Sequence, residues 1–155
     1  MEEEQVKEQA KAVIEKSDFV FLSTLDEEGF PHIRALFNFH NKIKFPKQLK
    51  TIESYKEEFV IYLGTNTSSE KVEVIRRNPK TSLYYYVSED RLSGLTLTGF
   101  MEVVQDQRIK NALWEDGWER YYLKGVTDPD YTILKFKPTT LKLYYALNTD
   151  TIKFG

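Results

Sequence analysis

The chain has 155 residues, 41% hydrophobic and 30% charged, which fits one globular domain over residues 1–155 and not a disordered tail. Lys plus Arg number 22 and Asp plus Glu 24, so the net charge is −2, which argues against a nucleic-acid binder. Cysteine is absent and only His32 and His40 are present, which removes thiolate chemistry, disulfides and Cys-based zinc sites and argues against a metal centre.

The start, Met1-Glu2-Glu3-Glu4, is acidic and polar, the reverse of a signal peptide. No apolar run approaches the roughly 18 residues of a membrane span. The expectation is a soluble cytoplasmic protein without membrane contact.

Val6, Ala10, Val13 and Ile14 fall on one helical face, and Ser17-Asp18 ends that helix. Two apolar stretches then flank Asp26–Gly29, the pattern of a β-hairpin with Gly29 at positive φ. In the second stretch Ile33, Ala35, Phe37 and Phe39 alternate with Arg34, Leu36 and Asn38. A short strand is expected over 42–45, stopped by Pro46. Leu49, Ile52 and Tyr55 give a weak helical signal over the next dozen residues.

A third strand is expected over 59–65. Thr67 followed by Glu70 is a capping-box pattern for a helix with Val72 and Ile75 inward and Asn78-Pro79 as its stop. Residues 81–88 read as a strand, Ser88–Arg91 as a turn, and 92–104 as a strand of nearly pure period two, with a bend or bulge at Gly99. Asp106 is placed to cap a helix through Leu113 and Trp114. An aromatic segment broken at Gly117 follows, then two closing strands over 131–138 and 140–147. Six or seven strands joined by hairpins, without βαβ rhythm, point to a mainly β protein: an antiparallel barrel, closed or partly closed, with peripheral helices.

Three places are candidates for chemistry. Thr65, Ser69 and Lys71 lie between a strand end and a helix start, where unpaired N–H groups make an anion seat, and Arg34 can join them if the barrel brings it near. Locally the same residues also read as a capped helix with solvated neighbours. Trp114, Trp118, Tyr121 and Tyr122 can stack on a planar ligand or pack in a core or dimer interface. His32 and His40 read as surface residues, and Asp128-Pro129-Asp130 as a turn. No Ser-His-Asp or Cys-His set can be built, so no catalytic residue is assigned and a bound cofactor would have to carry any reaction. Neither GxxxxGK[ST] nor GxGxxG occurs.

Four ordered stretches carry a family resemblance: Thr24-Leu25-Asp26-Glu27-Glu28-Gly29-Phe30-Pro31-His32-Ile33-Arg34; Thr65 with Ser69 and Lys71; Arg77-Asn78-Pro79-Lys80-Thr81-Ser82-Leu83; and Leu97-Thr98-Gly99-Phe100-Met101-Glu102-Val103-Val104-Gln105-Asp106. Together they resemble the FMN-binding split barrels related to pyridoxamine 5'-phosphate oxidase, in their general stress protein branch. The resemblance implies a homodimer with FMN at the subunit interface. Arg34 and Lys71 would hold the phosphate, with Thr65 and Ser69 as hydroxyl donors. Backbone around Ala35, Leu36 and Gly64 would line the isoalloxazine, and Trp114 with its neighbours would cover it. It also implies a flavin-dependent oxidoreductase or stress protein acting with a small-molecule electron donor or acceptor. The alternative is a non-catalytic module that binds flavin, deazaflavin or haem. Glu70 stands where the oxidase proper has a basic residue, Gly94 lies near one of its amide side chains, and nothing after Tyr145 matches its Trp and Arg elements. Pyridoxamine phosphate oxidation itself is therefore not expected.

Overall fold

In the computed structural model, residues 1–89 and 93–155 are described; part of the expected Ser88–Arg91 turn lies outside them. Helix α1 (Glu3–Lys16) buries Val6, Ala10, Val13 and Ile14, the expected face. Its last carbonyls need partners from outside the helix. Asn38 Nδ2 donates to Ile14 O at 2.7 Å and Ser17 O at 2.8 Å, and Asn41 Nδ2 donates to Ser17 O at 2.9 Å.

Strands β1 (Phe19–Leu25) and β2 (Pro31–Phe37) form the expected hairpin, with Gly29 at φ +86°. The expected strand at 42–45 is instead a turn. Asn41 Oδ1 accepts from the N–H groups of Ile43 and Lys44, at 3.0 and 2.9 Å, an Asx turn that competes with extended pairing. Helix α2 (Pro46–Ser54) follows and buries Leu49 and Ile52. Strand β3 (Ile61–Asn66) starts two residues late, because Lys56 and Phe59 hold left-handed φ of +52° and +56°.

Helix α3 (Glu70–Arg77) buries Val72 and Ile75 as expected, but Ser69 and not Thr67 is its N-cap, and no side chain caps it. The capping box fails because the Thr67 hydroxyl is engaged elsewhere. It donates to Pro129 O at 2.6 Å and pairs with Thr132 Oγ1. Strands β4 (Lys80–Val87) and β5 (Ser93–Val104) come next, and helix α4 (Gln107–Ala112) is capped by Asp106, whose Oδ1 accepts from Arg108 N at 2.9 Å. The aromatic segment makes two single 3-10 turns, Trp118–Arg120 and Gly125–Thr127.

The two expected closing strands are one 15-residue strand, β6 (Tyr131–Tyr145). Its register against β5 shifts at Thr98/Gly99, where Pro138 lies opposite Gly99. A bulge tolerates a proline that cannot donate to the ladder. A Cβ on Gly99 would stand 2.0 Å from Lys137 O, so only glycine fits. Strand β7 (Asn148–Lys153) was not expected; its mostly polar side chains hide it until it pairs with the second half of β6.

All pairs are antiparallel, in the order β2-β1-β4-β5-β6-β3, with β7 added on β6. The end strands β2 and β3 approach each other without pairing, so the curled sheet is split there. Inside it Val20, Leu22, Leu63, Leu83, Leu97 and Leu134 form the main core. A second core gathers Phe39, Tyr62, Trp114 and Tyr131 beneath the aromatic segment. Among the described residues no helix is long and apolar enough to cross a membrane.

Tyr85 is fully buried in the main core, and its hydroxyl has no hydrogen-bond partner among the described residues. Burying an unpaired hydroxyl opposes folding. Tyr85→Phe is therefore expected to stabilise the protein by about 1 kcal/mol, read as a higher urea midpoint at unchanged slope. A lowered midpoint would show that the hydroxyl has found a partner.

Outside the barrel, β1, β2 and β4 expose a continuous apolar face. Ile33 is 72% and Phe37 56% accessible, with Phe19, Phe21, Tyr84 and Tyr86 beside them. Register places Phe19 against Phe37 and Phe21 between Ala35 and Tyr84.

Candidate functional site

The split between β2 and β3 opens as a cleft of about 520 Å³. Ala35 and Leu36 come from one strand and Gly64, Thr65 and Asn66 from the other. Phe39 and Tyr131 line its depth. A Cβ on Gly64 would meet Phe39 Cζ at 2.8 Å, so glycine lets the ring press onto the strand backbone. Phe19 and Phe37 carry the wall onto the exposed sheet face. Trp118, Tyr121 and Tyr122 form the opposite wall.

One end is cationic. Lys71, at the second position of α3, lines the cleft and is half-buried. Burial lowers its pKa, and the Arg34 guanidinium lowers it further. Two positive groups 37 positions apart in the chain thus stand close enough to repel. Burial also lowers the pKa of Arg34, partly offset by the Glu70 carboxylate. Arg34 Nη1 donates to Thr24 Oγ1 at 2.7 Å and to His32 O at 3.1 Å. Ser69, the N-cap two residues before Lys71, has a buried Oγ with no partner among the described residues, and no side chain caps α3. An anion at this end would relieve the repulsion between the cations, pair the hydroxyl and satisfy leading helix N–H groups.

The aromatic wall is held from behind. Tyr122 Oη donates to Asn66 Oδ1 at 2.5 Å, which ties the segment to the end of β3. Trp114 is 8% accessible and does not line the cleft; it packs edge-on against Trp118 at 5.8 Å and Tyr131 at 5.0 Å. From α2, Gln48 Nε2 and Lys47 Nζ each donate to Trp114 O at 3.4 Å.

Of the candidate residues singled out in the sequence, Ala35, Leu36, Gly64, Thr65, Lys71, Trp118, Tyr121 and Tyr122 line the cleft. Arg34 acts on Lys71 without lining the cleft, Ser69 is the N-cap of the helix that carries Lys71, and Trp114 buttresses Trp118. Phe19, Phe37, Phe39, Asn66 and Tyr131 had no local signal, since their place depends on which strands meet at the split. His32 is exposed and bonded to Asp26 Oδ2 at 2.8 Å. His40 is not a surface residue: it is 7% accessible, because the Asn38 and Asn41 bonds fold the turn onto α1. The Asp128–Asp130 turn is as expected, with Asp128 Oδ1 accepting from Asp130 N at 2.9 Å.

Among protein families, the pattern described as pyridoxamine 5'-phosphate oxidase matches residues 6–145. Solved structures agree. A protein related to general stress protein 26 of Bacillus subtilis, from Clostridium acetobutylicum, is 32% identical, with a TM-score of 0.75 over 98% of this chain and 96% of that one. General stress protein 26 from Bacillus anthracis is 23% identical, with a TM-score of 0.73 over 97% and 99%. A heme binding protein from Mycobacterium smegmatis is 14% identical, with a TM-score of 0.68 over 96% of this chain and 57% of that one. No curated protein matches this chain.

Proposed function

The chain belongs to the pyridoxamine 5'-phosphate oxidase family, and on that footing we propose that it is an FMN-binding flavoprotein, a cytoplasmic homodimer acting in electron transfer. The supporting observation is the union of Arg34, Lys71 and the unpaired Ser69 hydroxyl at the uncapped start of α3, next to an aromatic cleft. That set fits a phosphate ester joined to a flat ring. Arg34 and Lys71 would neutralise the phosphate, and Ser69 and Thr65 would donate to it. Ala35, Leu36 and Gly64 would support the ring, and Trp118 and Tyr121 would cover it and exclude water. When bound, FMN supplies hydride or electron transfer, with a small-molecule donor or acceptor as partner. The cleft opens onto the apolar face carrying Phe19 and Phe37, where a second copy would bury both.

A second reading, a flavin holder without turnover, is favoured by one observation. Among the described residues Lys71 is the sole charged side chain lining the cleft, with no carboxylate or imidazole there to move a proton. Haem, were it bound, would be held without histidine, since neither His32 nor His40 lines the cleft.

The test is an FMN titration of the purified protein. Saturable quenching of flavin fluorescence, together with a dimeric sedimentation coefficient, is expected. Protein that takes up no FMN and carries no absorbance beyond the aromatic band would overturn the proposal. Bleaching of the bound chromophore by reduced nicotinamide would separate an enzyme from a holder. Mass identification of ligand released from the purified protein would separate FMN from a deazaflavin.

A further inference from the structure

A second cavity, of about 420 Å³, lies beneath α2 and shares no lining residue with the cleft. Ile14, Leu49, Ile52 and Ile61 make it apolar, and His40 is set into its wall. That imidazole is more than nine-tenths buried. Its Nε2 faces the backbone N–H of Tyr62 at 3.4 Å, so Nε2 is the acceptor and the neutral ring carries its hydrogen on Nδ1. Nδ1 has no acceptor among the described residues. Nδ1 is not among the side-chain atoms shut off from solvent, so in an imidazole this buried its hydrogen is open to the cavity that His40 lines. The rim is strained as well, since Lys56 and Phe59 both line the cavity with left-handed φ.

We propose that this cavity is a small-molecule site, separate from the cofactor cleft, for an uncharged and mostly apolar compound whose carbonyl oxygen accepts from His40 Nδ1–H. A volume of about 420 Å³ admits a compound of one or two rings. Glu15, Glu57 and Glu58 are held by Lys11, Lys135 and Lys7, at 4.0, 2.8 and 2.7 Å, and Glu53 offsets Lys56, so the lining offers little net charge to an ionised ligand. Residues of α2 and its following turn (Leu49, Ile52, Glu53 and 56–58) thus roof this cavity and not the cleft.

Benzamide is the probe, titrated into the full chain while the ring nitrogens of ¹⁵N-histidine are followed by NMR. The His40 Nδ1 signal should shift saturably, with a Kd on the order of 1 mM, while His32 stays still. Leu49→Trp fills the cavity and leaves His40 in place; it should abolish the shift. His40→Phe should weaken binding about fivefold, and benzoate should bind at least about tenfold more weakly than benzamide. An unmoved His40 signal, or unimpaired binding to Leu49→Trp, would overturn the site. Equal binding of benzoate would overturn the choice of an uncharged ligand.

Discussion

Lys71→Ala is expected to give colourless protein with its fold intact. A charge-assisted contact to a phosphate is worth about 1.5–3 kcal/mol, so FMN affinity should fall roughly ten- to hundredfold. The ammonium is half-buried and repelled by Arg34 in the free protein, so its removal relieves strain there and costs little stability. Arg34→Ala should weaken FMN equally but is the less clean variant. The buried Thr24 hydroxyl then loses the donor that holds it at 2.7 Å. Flavin titration measures the affinity, and circular dichroism with a thermal melt measures the fold. Yellow protein surviving in both variants would defeat the phosphate assignment. Such a result would leave the second cavity untouched, since its test does not read flavin.

The second large effect is on stability as a function of pH. Burial pushes the His40 pKa down to about 4, from an ordinary value of 6.5. The unfolded chain takes up a proton at this residue near pH 6.5, whereas the folded chain does not until about pH 4. Stability therefore falls as the pH drops through that window, and the loss is complete below it. A separation of that size corresponds to about 3 kcal/mol. Asp26, Asp106 and Asp128 have pKa values lowered by hydrogen bonds, from His32, Arg108 and the Asp130 backbone first in each case. Their losses lie below pH 4, so the upper window belongs to His40. Urea unfolding at pH 7 and pH 4.5 should show the drop in the natural chain and a much smaller one in His40→Phe. Equal slopes in both chains would mean that the imidazole is hydrated when folded.

What was legible in the sequence is what short-range physics controls. The face of α1, the Asp26–Gly29 hairpin, the Asp106 cap and the bulge at Gly99 each follow from residues within a turn or a strand of one another. The cationic pair and its hydroxyls were visible as residue types, and motifs quoted in order pointed to the family to which the chain belongs. Where a residue's partner lies far along the chain, local reading failed. Thr67 resembled a helix cap but bonds to Pro129 and Thr132. His40 resembled a surface residue but is buried by asparagines that close the end of α1. The last two expected strands proved to be one, since Pro138 is tolerated only opposite the glycine of a distant bulge. By itself the sequence determined which chemical groups this protein owns and most of its helices and hairpin strands, because propensity and periodicity act over a few residues. Only the tertiary structure decided which groups meet, because Arg34 and Lys71 converge through the curl of the whole sheet, which brings its two end strands together without pairing them.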